Sequence, residues 1–334
     1  VLIGTPGRIA YHLKNENFNP ETIKTMVLDE FDKALELGFQ EDMEYIIGSL
    51  NGLSQRILTS ATVMDNIPKF VELNNEKTVN FLKENAAKPN IQLKKVMTTP
   101  EEKLNTLFQL ICKIGNKRTL IFCNHRDAVD RISNLLHEKG IARESFHGGM
   151  EQDERERALL KFRNDSVRVL ITTDLAARGL DIPEMKHVIH YHLPAKEDEF
   201  THRNGRTARM LATGTAYVLI HETEKKADYF DYGKRRLDVS NAKSLPKAPL
   251  YQTLYISGGK KNKLNKIDIV GFFSQKGKLE KDDIGLIEVK DFISFVAVKY
   301  PKVKSLLQNI KEEKMKGKKY KIEVARKVIK KEEE

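Results

Sequence analysis

The sequence contains no tryptophan and only two cysteines, Cys112 and Cys123, among 334 residues. Two cysteines cannot build a disulfide framework or a complete zinc site. Both sit in apolar surroundings and read as reduced core thiols of a cytoplasmic protein. No apolar run approaches the ~18 residues needed to cross a bilayer, so no membrane partner is expected. No signal peptide is present, and the chain opens on "VLIGTPGR" without Met, which reads as a fragment. Also missing is any G-x-x-x-x-G-K-S/T phosphate loop.

Positive charge, by contrast, is plentiful. The net charge is +11, which favours a polyanionic partner. Residues 250–334 carry about 21 Lys/Arg against about 12 Asp/Glu, so most of the excess lies in the last quarter. A separate basic module is expected there.

From residue 1 to about 240, short apolar runs alternate with amphipathic helical patterns. The strand candidates are "VLIGT", "TMVLDE", "QRILTSAT", "TLIFCN", "VRVLITT", "HVIHYH" and "GTAYVLI". Between them, Val129, Ile132, Leu135 and Leu136 recur at helical spacing before Gly140. This alternation predicts parallel α/β sheets. The polar stretch "KENAAKPNIQLKKVMTTPEEK" reads as a linker between two such units, and "KRRLDVSNAKSLPKAP" as a second break. Beyond it the order becomes βαββαβ, a split ferredoxin-like domain.

Ligands of open α/β sheets gather at strand carboxyl ends. "MVLDE" puts Asp29 and Glu30 at such an end. One acid can hold magnesium, directly or through water, while its neighbour orients an attacking water. The plain alternative is a polar end to a core strand. Ser60 and Thr62 in "TSAT" can bond carboxylates on the adjacent strand tip, or simply make a turn. In "TTDLAARGLDIP", Gly179 lets backbone approach a ligand and Asp181 can accept from a sugar hydroxyl; an ordinary Asx turn is the alternative. In "HRNGRTARM", Arg203, Arg206 and Arg209 fall along one side of a helix. Such a row suits phosphate oxygens, or is only a solvated basic face.

In order, "TPGR", "DEFD", "SAT", "LIFC", "HGGM", "TTDLAARGLDIP" and "HRNGRTAR" resemble the motif series of the DEAD-box RNA helicases over residues 1 to about 235. The resemblance implies two RecA-like domains acting with ATP and Mg2+ on a single RNA strand. By similarity Asp29 and Glu30 serve the metal, reached through water, and the hydrolytic water. Asp32, Ser60, Thr62 and His202 couple the nucleotide to domain closure. Gly179 and Asp181 approach the ribose side of ATP, and Arg206 and Arg209 the γ-phosphate. On RNA the family uses Thr5, Gly7 and Arg8, then Gly148 and Thr173. These positions meet phosphates and 2′-hydroxyls, favouring RNA over DNA with little sequence readout.

Three departures stand out. Phe31 replaces the family's Ala, with altered packing near the SAT loop expected. Ala208 replaces a usual Gly in the last motif. The phosphate loop and adenine-reading motif, N-terminal to "TPGR" in the family, are not in this sequence, so the chain by itself is expected to lack ATPase activity while the intact parent is an ATP hydrolase.

The C-terminal part is similar to the DbpA-type RNA-binding domain of bacterial helicases, which implies an RRM-like fold and a ribosomal RNA target of large-subunit assembly. Tyr255 and Phe295 fall at stacking positions of that fold, or line a small core or domain contact. Lys260, Lys261 and Lys263 are candidate phosphate contacts.

The expected architecture is therefore α/β, with two RecA-like parallel-sheet domains, the first incomplete, and a βαββαβ domain. Its expected divisions are helicase domain 1 over 1–82, a linker over 83–98 and helicase domain 2 over 99–235. A linker over 236–250, the RNA-binding domain over 251–325 and a charged tail over 326–334 complete it. The expected function is an ATP-dependent RNA helicase remodelling structured, ribosomal RNA as a cytoplasmic monomer. The alternatives are a non-catalytic RNA-binding scaffold derived from a helicase, and a DNA-unwinding relative.

Overall fold

A computed structural model describes residues 1–60, 64, 66–73, 76–80, 91–177, 185–207, 213–224, 226–242 and 244–325. Thr62, Gly179, Asp181, Ala208, Arg209 and the tail 326–334 lie outside the described residues. The chain divides into two units, Val1–Lys88 and Pro89–Glu334.

The first unit comprises α1 (Pro6–Lys14), β1 (Thr25–Leu28), α2 (Phe31–Glu36), α3 (Gln40–Ser49) and β2 (Gln55–Leu58). Helix α1 starts where Pro6 follows an extended Thr5, the position where a missing N–H costs nothing. Strands β1 and β2 pair in parallel, Leu28 opposite Leu58. Ala10 and Leu13 of α1 pack with Met26, Ile46, Ile47 and Leu50. The expected strand over "VLIGT" does not form: residues 1–5 carry no secondary structure, and Val1, Leu2 and Ile3 are exposed rather than paired.

The second unit opens with β3 (Ile91–Thr98), α4 (Lys103–Ile114), β4 (Thr119–Cys123), α5 (Arg126–Glu138), β5 (Arg143–Phe146), α6 (Gln152–Arg163), β6 (Val169–Thr173), α7 (Asp174–Ala177), β7 (His187–His190), α8 (Glu197–Asn204) and β8 (Gly214–His221). Its six strands are parallel, in the order β3-β8-β7-β4-β6-β5. Central β4 is buried throughout. Successive residues of a strand point to opposite faces, so Ile121 and Cys123 join α4 and α5 on one side. Leu120 and Phe122 join Ala158 and Phe162 of α6 on the other.

Two sequence expectations change here. Ile91–Thr98, read as linker, is β3, paired with β8 along its whole length. It is an edge strand with only Val96 buried, so its polar composition hid it. Residues after 235 also do not leave the domain at once: Leu237 bonds Lys95 through its backbone, and Leu237 and Val239 pack on the α4–α5 core.

The chain continues with β9 (Tyr251–Ile256), α9 (Lys266–Gln275), β10 (Ile284–Val289), β11 (Ser294–Lys299), α10 (Val303–Asn309) and β12 (Ile322–Val324), the expected βαββαβ order. The sheet is antiparallel in the order β10-β11-β9-β12. Leu254, Ile256, Val296 and Val298 face Ile269, Phe273 and Leu306 of the two helices. The opposite face carries Tyr255 and Phe295, paired across the strands with rings 5.9 Å apart. That face is not open. Phe295 is 4% exposed and packs with Tyr255, Ile293 and Ala325 against Leu160 of α6. Ser166 and Thr253 hydroxyls meet at 2.8 Å, and Lys290 pairs with Glu156 of α6. The small domain is thus seated on the six-stranded one. No described helix is long and apolar enough to cross a membrane.

Candidate nucleotide and RNA sites

In the first unit the acids stand at the carboxyl end of β1. Asp29 and Glu30 are exposed. The Thr59 hydroxyl and the Glu30 N–H (3.1 Å) both donate to Asp29 Oδ1. Glu30 is held in the left-handed region, φ 48°, and caps α2. That conformation is uncommon outside glycine and marks a constrained turn. Its cause lies one residue on: Phe31 N–H bonds Thr59 O at 3.0 Å, and its ring is fully buried with Met43 and Val71. Phe31 therefore belongs to the core, its ring 6.4 Å from that of Phe70, and anchors the turn that lifts Asp29 and Glu30 outward.

Magnesium keeps most of its waters and needs only one or two carboxylates. Asp29, with both bonds on Oδ1, and its neighbour Glu30 suit such a water-mediated contact. No group of three or more His, Cys, Asp or Glu among the described residues could cage a metal directly. Asp32 is half-buried in the first turn of α2, and Ser60 is exposed beyond β2, beside Thr59. Thr5 and Arg8 are exposed at the start of α1, while Gly7 lies close enough to α3 that a Cβ would sit 3.2 Å from Asp42 Oδ2.

In the second unit the strand ends converge on Arg203. Its Nε and Nη2 donate to the two carboxylate oxygens of Asp174, at 2.6 and 2.5 Å. Nη2 also reaches Asn124 Oδ1 at 2.9 Å and Nη1 the carbonyl of His192 at 2.6 Å. The guanidinium lies over the Phe122 ring and the residue is 2% exposed. Of the three arginines read as one phosphate-facing row, Arg203 thus turns inward. Arg206 and His202 remain half-buried and line a shallow pocket with Asp174, Ala177 and Glu199. Thr173 is half-buried at the end of β6, next to Asp174.

Beneath Arg203, His190 is fully buried and donates from Nε2 to Asn204 Oδ1 at 2.9 Å. Burial, then the Arg203 charge, pull its pKa down to about 3. Burial and the nearby Lys103 bring His192 to about 4. Both rings are neutral at physiological pH.

Gly148 is exposed in the loop before α6. His147 braces that loop, accepting from Gly149 N–H at 3.2 Å and meeting Asp130 at 3.2 Å. Tyr255 and Phe295 lie in the contact with α6, while Lys260, Lys261 and Lys263 are exposed after β9. Sequence reasoning missed Thr59, Asn124, Asp174 and His192. Each directly follows a strand or lies just beyond one, the only signal that could have found them.

Family models match the chain in three stretches: the DEAD/DEAH box helicase over residues 1–70, the helicase conserved C-terminal domain over 102–211 and the DbpA RNA binding domain over 253–324. The chain belongs to the DEAD-box family of ATP-dependent RNA helicases and carries a DbpA-type RNA-binding domain. It is similar to the ATP-dependent RNA helicase DbpA of Bacillus subtilis, 28% identical over 98% of this chain and 74% of the relative. It is 32% identical to the helicase CshA of Bacillus cereus over 74% of this chain, and spans about half, 48%, of that relative's length. Among solved structures, yeast (S. cerevisiae) Dbp5 bound to RNA and ADP BeF3 is similar with a TM-score of 0.57, at 25% identity over 66% of this chain and 59% of that one.

Proposed function

We propose that the protein acts as an ATP-dependent RNA helicase that remodels structured RNA, with ribosomal RNA of the large subunit as its target. The observation that carries this reading is the buried Arg203–Asp174 bridge. It fastens the strand end bearing Thr173, a candidate RNA contact, to the helix leading into Arg206, a candidate phosphate contact. A rigid link between the two suits an enzyme in which RNA and nucleotide binding depend on each other.

In this reading Asp29 would hold a magnesium ion through water, and Glu30 would orient the attacking water. Arg206 and Arg209 offset charge on the transferred phosphoryl group, Asp32, Ser60, Thr62 and His202 couple the nucleotide to closure, and Gly179 and Asp181 meet the nucleotide sugar. ATP, held with magnesium, supplies the phosphoryl group. Thr5, Gly7, Arg8, Gly148 and Thr173 hold the RNA backbone, and the lysines at 260, 261 and 263 hold the target RNA. The protein works as a cytoplasmic monomer.

The 334 residues contain no phosphate loop, so this chain by itself is proposed to lack ATPase activity. That feature also favours a second reading, an RNA-binding scaffold without catalysis. Phosphate release by the natural gene product, with large-subunit ribosomal RNA, an unrelated structured RNA or DNA, decides between them. Hydrolysis stimulated most by the ribosomal RNA is expected. Stimulation by none of the three rules out the helicase reading, and hydrolysis by this chain at the same rate rules out the proposed deficiency.

A further inference from the structure

We infer that the C-terminal domain grips single-stranded RNA not on its sheet but on a ridge formed by residues 259–263 and 290–292, with a base stacked on Phe292 and flanking phosphates against Lys260 and Lys261. This rests on the RNA-binding reading above and assigns a subsite within it.

The sheet face is already occupied. Tyr255 and Phe295, the aromatic pair a base would need, pack against Leu160. Phe292 is instead 67% exposed, more than any other phenylalanine among the described residues. A lone exposed aromatic means little. Here it stands on a rigid mount. Lys260 N–H bonds Lys290 O and Lys261 N–H bonds Asp291 O, both at 2.8 Å, locking the two loops side by side. Gly259 permits the approach: a Cβ there would lie 2.2 Å from the Lys290 carbonyl. The Ser294 hydroxyl fixes Gly258 O at 2.7 Å, and Asn262 Oδ1 accepts from Gly259 N–H at 3.0 Å.

Charge agrees with the placement. Lys260, Lys261 and Lys263 are exposed, and none makes an ion pair among the described residues. Asp291 is the single acid on the ridge, set against these three. Lys290 points the other way, to Glu156 in α6, the helix that follows the Gly148 loop. The ridge and that loop therefore belong to one body. Rings stack on bases of any sequence, while lysines neutralise phosphates; the two contributions separate by their salt dependence.

The test is binding of a fluorescein-labelled, random-sequence single-stranded RNA of about 12 nucleotides to the full chain across a salt series. Phe292→Ala is expected to weaken binding about tenfold with its salt slope unchanged, and Phe292→Trp to restore it. The Lys260→Ala/Lys261→Ala pair is expected to flatten the salt slope, and Lys304→Ala, at an exposed position of α10, to change nothing. Wild-type binding with Phe292→Ala unaltered, or a loss that Trp does not restore, overturns the ridge and leaves the helicase reading standing. No binding by the wild-type chain overturns both.

Discussion

Arg203 and Asp174 form a fork-to-fork ion pair, 2.6 and 2.5 Å, with the arginine buried beneath the pocket it helps to line. Such a pair is strong through geometry rather than charge alone: the planar guanidinium matches two carboxylate oxygens and still has N–H groups for Asn124 and His192. Helix α8 is thereby fixed to the ends of β4 and β6 and to the loop after β7.

Arg203→Lys keeps the charge and loses the fork. One ammonium has three donors and no planar fork, so it cannot replace the four hydrogen bonds to Asp174, Asn124 and the His192 carbonyl. Breaking a buried pair of this kind costs about 3–5 kcal/mol, so the urea midpoint of the second unit should fall steeply. An unchanged midpoint would show that the bridge contributes nothing to folding.

The buried histidines give a pH dependence of defined sign. His190 and His192 have folded pKa values of about 3 and about 4, below the ordinary value near 6.5. Between those limits the unfolded chain binds more protons than the folded one, so stability is whole above pH ~6.5 and declines as the pH falls. Each histidine adds up to ~1.4 kcal/mol per pH unit over that range. Thermal midpoints measured from pH 7 to pH 5 should drop, and His190→Gln should shallow the slope.

Phe31→Ala installs the residue usual in this family. With the ring fully buried among Met43, Phe70 and Val71, truncation should cost about 3–5 kcal/mol and loosen the Glu30 turn. Chemical denaturation of the first unit measures the loss. A stability change near zero would mean that neighbours collapse into the space.

Leu160→Asp puts a carboxylate against Phe295 and Tyr255. The C-terminal domain should come off α6 while keeping its own core, since Leu254, Val296 and Phe273 face the other way. Hydrogen exchange should then rise along α6, β9 and β11 and stay unchanged in α9 and α10. Equal exchange everywhere would mean that the contact does not hold.

Much of this was legible in the sequence. Buried β4, β6, β7 and β8 announced themselves as apolar runs, and the βαββαβ order followed from periodicity alone. Edge strands did not: β3 and β5 mix polar residues with apolar ones, so "IQLKKVMT" and "RESF" resemble loop. The acids after β1 and the arginines of "HRNGRTAR" could be picked out by type. The inward turn of Arg203 could not, because its partners, Asn124, Asp174 and His192, lie 11 to 79 residues away in sequence. A domain contact over Tyr255 and Phe295 was one of the two readings open from sequence, but not which helix makes it, since α6 lies about a hundred residues earlier.

That cover changes what the segment 236–250 does. A flexible tether would let a captured RNA wander, and its local concentration near the Gly148 loop would fall as the tether lengthened. With β9 and β11 pressed on α6, the tether no longer sets that concentration. Distance is set by the packed side chains, as on a jig, so the spacing between the 259–263 loop and the Gly148 loop is a fixed dimension of this unit.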